Sequence, residues 1–245
     1  MPGFGRSATF LLLALLAEVA GTVGGFGSSV FFVPVANFYF DFQSVLGITV
    51  LFHLASNVSK LGLFRGGVDK RLLLQLGVPS VLFAIIGGIS SAHLPDRNLE
   101  MALAVFLLAL SGWMLLRPRW RLAPTPTAAL VGGAVSGGMA GLVGTGGAVR
   151  GMTLASFDLR KEVFVATSAA IDLCIDLSRA AVYAHNGYIH GHDLAWLPML
   201  AIVAIAGTWI GKRILQRMPQ ALFRRTALVL VFGIALVTLY QAVDR

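Results

Sequence analysis

The chain has 245 residues, of which 57% are hydrophobic and only 12% charged, with a mean hydropathy of +0.81. Soluble globular chains carry about a quarter charged residues, so an ordinary water-soluble domain is excluded. The net charge of +8 is crowded into short segments between apolar runs, which reads as membrane topology rather than nucleic-acid binding. The single cysteine, Cys174, lies inside an apolar run and can form no internal disulfide. No CxxC or paired-histidine cluster suggests a metal, and no GxxxxGK[ST] suggests direct use of ATP, so no cofactor is expected.

Taken in chain order, the first apolar region, 8–40, is broken near its middle by Gly24-Gly25-Phe26-Gly27-Ser28-Ser29. Three full-length spans follow, at 43–64, 71–94 and 98–116. After the polar, Pro-rich segment Arg117–Pro126 comes a second broken region, 127–157, interrupted by Gly144-Thr145-Gly146-Gly147. Three more spans lie at 161–184, 194–214 and 222–241. The arms of the two broken regions, at 11–17 residues, fall short of the ~20 a helix needs to cross. They predict pairs of short helices meeting at a glycine tip. Such backbone is tolerated at membrane depth only where it is buried in protein or lines a cavity.

The two halves repeat. Ala20–Gly27 aligns with Ala140–Gly147 at an offset of 120, and His53, Asn57, Lys60 and Phe64 fall on Asp172, Asp176, Arg179 and Tyr183 at an offset of 119. The expected organisation is therefore a first transmembrane repeat (1–116), a cytoplasmic linker (117–126) and a second repeat (127–245). If each half is a non-crossing hairpin plus three spans, the second half enters from the opposite side. Thirteen basic residues (Arg65, Lys70, Arg71, Arg117, Arg119, Arg121, Arg160, Lys161, Lys212, Arg213, Arg217, Arg224, Arg225) then share one side, against Arg6, Arg97 and Arg245 on the other. The positive-inside rule makes the basic side cytoplasmic and leaves both termini on the external face. The fold class expected is all-α: a polytopic protein of the cell (inner) membrane built from two inverted repeats, each a Gly-broken helical hairpin plus three transmembrane helices. Arg6 and the apolar run after it resemble a signal peptide, but the run continues into the repeated motif, so an uncleaved first arm is expected.

Six charges fall within apolar segments: Glu18, Lys60, Arg150, Asp172, Asp176 and Arg179. Charges there are costly and mark functional sites, and these sum to zero. Asp172, Asp176 and Arg179 are spaced i, i+4, i+7 on one helical face, and His53, Asn57 and Lys60 share that spacing. On inverted helices the two stripes would face each other, where transporters of such architecture hold substrate. The alternatives are structural: Asp176 and Arg179 neutralising each other, Lys60 snorkelling to the surface, and His53 as a satisfied interior histidine. A helix starting at each tip would offer unpaired N–H groups to a small oxyanion; packing alone is the other use of such glycines. The candidate substrate-binding set is Gly24, Gly25, Gly27, Ser28, Ser29, Asn57, Lys60, Gly144, Thr145, Gly146, Gly147, Arg150 and Arg179. Proton coupling is assigned to Asp172, Asp176, His53 and Glu18, with Asp172 the exchanging group and Asp176 the counter-ion of Arg179. His185, His190 and His192 with Asp193 read as a solvated loop rather than a metal site.

Ala20–Ser29, Gly47-Ile48-Thr49 with Asn57 and Lys60, Ala140–Gly147, and Ala166-Thr167-Ser168-Ala169 with Asp172, Asp176 and Arg179 together resemble the sulfite exporter TauE/SafE family of membrane permeases. The resemblance covers nearly the whole chain and implies a small sulfur-containing or organic anion, of the sulfite or sulfonate class, as substrate. The reading is a proton-coupled secondary transporter working by alternating access, with an uncoupled anion channel as alternative. An intramembrane enzyme would need a nucleophile–base or metal constellation, for which only Cys174, Ser178 and scattered histidines are present.

Overall fold

The computed structural model describes residues 4–24, 27–117, 122–191, 193–217 and 220–244; the candidate Gly25 lies outside them. The described residues form helices α1 (Phe4–Gly24), α2 (Ser29–Ala36), α3 (Phe42–Leu63), α4 (Lys70–Ser91) and α5 (Asp96–Leu116), then α6 (Pro126–Val143), α7 (Gly147–Ala155), α8 (Lys161–His185), α9 (Leu197–Arg217) and α10 (Gln220–Asp244). A single 3₁₀ turn, Asp193–Trp196, precedes α9, and no described residue is in a strand. Both halves thus follow one order: long helix, short helix, three long helices.

Local signals account for the helix starts. Asp41 caps α3 by accepting from the Ser44 backbone N–H at 2.9 Å. Asp69 does the same for α4 with Leu72 at 3.0 Å, and Thr125 for α6 with Ala128 at 3.1 Å, just ahead of Pro126 at the first helical position.

Among the described residues, six segments are long and apolar enough to cross a membrane: Gly5–Gly24, Phe42–Leu63, Lys70–Ser91, Asp96–Leu116, Pro126–Val143 and Leu194–Arg217. Their outward faces are apolar too; Leu74, Leu82, Phe83 and Ile86 of α4 and Ile202, Ile205 and Trp209 of α9 are exposed. Apolar rows on both the inside and the outside mark a multi-pass membrane protein. The helix α8, 25 residues long, carries Asp172, Asp176 and Arg179 and is more polar than these six.

The hairpins differ from expectation in one respect. Their first arms are not short: α1 has 21 residues and α6 has 18. Only the return arms α2 and α7, with 8 and 9 residues, are. Glycines within α1 and α6 do not break the helix. Among the described residues of the two tips, Gly27 (φ 77°) and Gly144 (φ 80°) take the left-handed region that glycine enters without strain.

The glycines inside the helices act in packing. A Cβ at Gly133, Gly137 or Gly141 of α6 would overlap the backbone carbonyls of Leu76, Ser80 and Ala84 of α4. The two helices run parallel with their backbones in contact, and the Ser80 hydroxyl donates across to the Gly133 carbonyl at 3.0 Å. Gly207 and Gly211 of α9 make room for the side chains of Glu18 and Thr22 of α1. Exchanging the five helices of one half for those of the other carries the α4–α6 contact onto α9–α1 and α4–α8 onto α9–α3. The same exchange leaves α3–α8, α5–α10 and α2–α7 in place.

Each hairpin returns to the end of the molecule from which it set out. Phe10 near the start of α1 packs on Tyr39 and Phe40 beyond α2, with ring centroids 5.1 and 5.2 Å apart, and on Trp196 at 5.3 Å. That end also holds Ser44 against His190 at 3.2 Å and Arg97 donating to the Ala242 carbonyl at 2.9 Å. In the second hairpin Thr153, near the end of α7, lies against Gly132. Its end of the molecule gathers Lys212, donating to the Leu63 carbonyl at 2.6 Å, and Thr167, accepting from the Asp69 backbone at 2.9 Å.

The contact between α4 and α6 sets a test. Gly137→Val forces a side chain onto the Ser80 backbone and should cost about 1–3 kcal/mol or more, seen as a lower melting temperature and less monodisperse protein in detergent. Gly138→Val meets only the Phe83 Cβ at 4.0 Å and should melt close to the native chain; equal loss in both variants would remove the packing argument.

Candidate functional site

The polar stripes of α3 and α8 do face each other. Asn57 Nδ2 donates to Asp176 Oδ2 at 2.9 Å, joining two residues that are aligned at the repeat offset. His53 Nδ1 lies 3.9 Å from the same carboxylate oxygen, and its Nε2 is 3.1 Å from the Ser28 hydroxyl at the first tip. Asp176 Oδ1 accepts from Arg179 Nη1 at 3.0 Å, so the mutual neutralisation of these two is present. Asp176 and Arg179 are almost wholly buried, at 1% and 2% exposure.

Arg179 is nevertheless only half used. Among the described residues its Nε and Nη2 have no hydrogen-bond partner. Its guanidinium carbon stands 5.3 Å from the centroid of the Tyr183 ring, and the Tyr183 hydroxyl is occupied with the Ala140 and Gly141 carbonyls, at 3.2 and 2.6 Å. Nε and Nη2 form one edge of the guanidinium fork, the edge that binds carboxylates and other oxyanions with two parallel hydrogen bonds.

The two tips meet at the centre. Thr145 Oγ1 donates to Ser29 Oγ at 3.1 Å. A Cβ built on Gly27 would lie 3.8 Å from the Gly147 Cα, another pair aligned at the repeat offset, and 3.3 Å from Arg150 Nη2. Neither α2 nor α7, which start at these tips, has a side-chain N-cap bond. Gly144 is wedged against Val33 of α2 and Leu46 of α3, and Gly146 against the Ser136 carbonyl, with Ser136 Oγ donating to the Gly146 carbonyl at 2.8 Å. Gly24 ends α1.

Arg150, in the first turn of α7, is 1% exposed and forms a bidentate ion pair with Asp172, while its Nε donates to Ser168 Oγ at 3.0 Å. No local spacing points to this partner of Asp172, because the two residues sit on different helices 22 positions apart. Lys60 does not snorkel. Its Nζ is buried, 2.8 Å from Glu18 Oε1 and 2.6 Å from Ser56 Oγ. The same Glu18 oxygen also accepts from Thr22 at 3.1 Å, Ser56 at 2.7 Å and Thr208 at 3.0 Å. These hydroxyls were not singled out from the sequence. Ser56 and Thr22 had a local signal, one helical turn from Lys60 and Glu18; Thr208, from α9, had none.

Gly21, Thr22, Gly27, Lys60, Ser168 and Asp172 help to line a cavity of about 20 Å³ between the first tip and α8. That is room for about one water molecule and too little for a four-atom oxyanion. Among the described residues no cluster of three or more His, Cys, Asp or Glu side chains could hold a metal ion.

A model of the sulfite exporter TauE/SafE family matches residues 10–238, nearly the whole chain and both halves of this site. The chain belongs to that family. No curated protein and no solved structure matches it. As a TauE/SafE protein the chain is a membrane permease of an anion-transporting family, and its charged centre lies wholly inside the matched region.

Breaking the Asp176–Arg179 pair tests its part in the fold. Arg179→Met leaves a buried carboxylate without its cation and should cost about 3–5 kcal/mol. Arg179→Met/Asp176→Asn should regain most of that in thermal melts, because Asn keeps a polar partner for Asn57. A double variant as unstable as the single one would mean that the charge pair is not what holds α3 to α8.

Proposed function

We propose that this protein is a secondary transporter of a small oxyanion, of the sulfite or sulfonate class, coupled to protons and working by alternating access between two inverted repeats. The observation that carries the reading is the free Nε–Nη2 edge of Arg179: two buried donors of a permanent cation, unmatched by any described residue, fit the paired oxygens of a sulfite, sulfonate or carboxylate. Lys60 and Arg150 add positive charge, and the uncapped starts of α2 and α7 add backbone N–H groups. The matched family's description as a sulfite exporter supports the substrate class.

Coupling follows from charge balance. Lys60, Arg150 and Arg179 are each paired with a carboxylate, Glu18, Asp172 and Asp176, so these six charges sum to zero. An anion entering alone would leave a net negative charge in a medium that solvates charge poorly. A singly charged anion entering with one proton would not, and for a doubly charged one a proton halves the imbalance. The small cavity supports alternating access over a standing pore, since an anion needs the tips and the two polar helices to move apart. The inversion is supported by hairpins that return to their own end, leaving three long helices per half, and by contacts between aligned residues, Asn57 with Asp176 and Gly27 with Gly147.

Purified protein in liposomes should carry at least one anion among sulfite, thiosulfate, sulfate, sulfoacetate and simple carboxylates, with uptake steepened by an imposed pH gradient. Arg179→Lys should bind roughly tenfold more weakly, because a point charge replaces a two-pronged contact. Saturating flux indifferent to the gradient would make the protein a facilitator; absence of flux for the whole panel would remove the transport reading.

The basic end is assigned to the cytoplasm and both termini to the outside. In a Cys174→Ala background, His93→Cys should react with an impermeant maleimide in intact cells and Arg117→Cys only after permeabilisation. The opposite labelling would invert the topology.

A further inference from the structure

We infer that Glu18 is the group that takes up the coupled proton, and that its protonation frees Lys60 to hold the anion; the inference rests on the proton-coupled anion reading above. Three buried carboxylates compete for this role, and their hydrogen bonds separate them. Asp172 has both oxygens in the fork of Arg150, so a proton there weakens a charge-assisted bidentate contact. Asp176 has one oxygen on Arg179 and the other on Asn57, so a proton there goes onto an oxygen that already accepts a bond. Glu18 is different: four donors converge on Oε1, while Oε2, equally buried, has no hydrogen-bond partner among the described residues. A proton can be added to Oε2 without removing any existing bond. An unsatisfied carboxylate oxygen at membrane depth is costly, and protonation relieves that cost.

The surroundings of Glu18 decide what the proton does. Lys60 of α3 is the cation at its side, and Thr22, Ser56 and Thr208 contribute only hydroxyls. The helix α2, packed on α1, contains no charged residue, and α10 has charged residues only near its ends. On α9 the nearest charge, Lys212, is held by the Leu63 carbonyl at one end of the molecule. Across the small cavity, Arg150 and Asp172 neutralise each other. Once Glu18 is neutral, Lys60 is therefore the one uncompensated charge of this group. Lys60 also lines the cavity, with Gly27, Ser168 and Asp172, so an anion admitted there when the tips and polar helices move apart supplies the missing counter-charge. Proton and anion then each favour the binding of the other, as linkage requires. A lysine suits the task, since its compact ammonium on a flexible stem can turn from Glu18 to the cavity, whereas the fork of Arg150 is held by its bidentate contact with Asp172 and by Ser168.

The test separates this assignment from the transport reading itself. Wild-type protein in liposomes is first assayed for exchange of labelled thiosulfate, sulfate or sulfoacetate, whose charge does not change between pH 6 and 8; sulfite is assayed alongside. No exchange of any of them would defeat the transport reading, and this inference with it. Given exchange, wild-type affinity should weaken by up to roughly tenfold per pH unit, the signature of one linked proton. Glu18→Gln, which mimics the protonated carboxyl, should flatten that dependence and lose gradient-driven accumulation while still exchanging anion. It should also gain thermal stability from added anion at pH 8, where the wild type gains less. If Glu18→Gln does not fold, Glu18→Gln/Lys60→Met, which restores neutrality, should fold and bind anion weakly at both pH values. Gradient-driven accumulation by either variant would overturn the assignment, as would its loss in Asp172→Asn together with its retention in Glu18→Gln.

Discussion

Charge neutrality in a medium that cannot solvate charge is the constraint on which the rest of this structure depends. A lone charged side chain at mid-membrane costs at least about 2.5–3.5 kcal/mol, and this chain places six there. It meets that cost with three ion pairs. Two of them join separate helices: Glu18 of α1 with Lys60 of α3, and Arg150 of α7 with Asp172 of α8. The third, Asp176 with Arg179, lies within α8, but Asn57 ties it to α3. The electrostatics that make the centre tolerable are thus also what fastens the hairpins to the polar helices.

Close approach of backbones is what lets those pairs form. Glycines at every fourth position of α6 allow α4 to touch it along its length, and Gly207 and Gly211 do the same for α9 on α1. Bulkier residues would hold these helices apart and move the tips away from α3 and α8. The outer helices therefore act as a tight collar, within which the short helices α2 and α7 present their starts to each other. Small residues and charged residues answer one demand: backbone and charge both need partners supplied by protein where water is absent.

The arginines and the lysine do different work under that demand. Arg150 is fixed by a bidentate contact with Asp172 and a third bond to Ser168, while Arg179 is bonded through Nη1 alone and keeps an unpartnered edge, the one proposed to meet the oxyanion. Lys60 makes two contacts through a single nitrogen and can be released by changing the charge of one carboxyl group. In the proposed cycle a guanidinium fork gives recognition, and the Lys60 ammonium links recognition to protonation.

Much of this was legible in the sequence. Hydropathy gave the six unbroken spans as helices with nearly their observed limits, because apolar length is a property of a local segment. The i, i+4, i+7 spacing put His53, Asn57 and Lys60 on one face and Asp172, Asp176 and Arg179 on another, since helical geometry alone fixes a face. The repeat offset foretold that Asn57 and Asp176 correspond, and they touch. The first arms are longer than the apolar runs suggest, because α1 begins at Phe4 and α6 at Pro126, ahead of those runs, and only the neighbouring helix α4 shows that the glycines inside α6 are a packing surface. The choice of partner was likewise beyond the sequence. Nothing local distinguishes Glu18 from Asp172 as the counter-ion of Lys60, or brings Thr208 to the same oxygen. Those pairings arise where α1, α3 and α9 cross, and which charge neutralises which is decided by distances that exist only once the helices have packed.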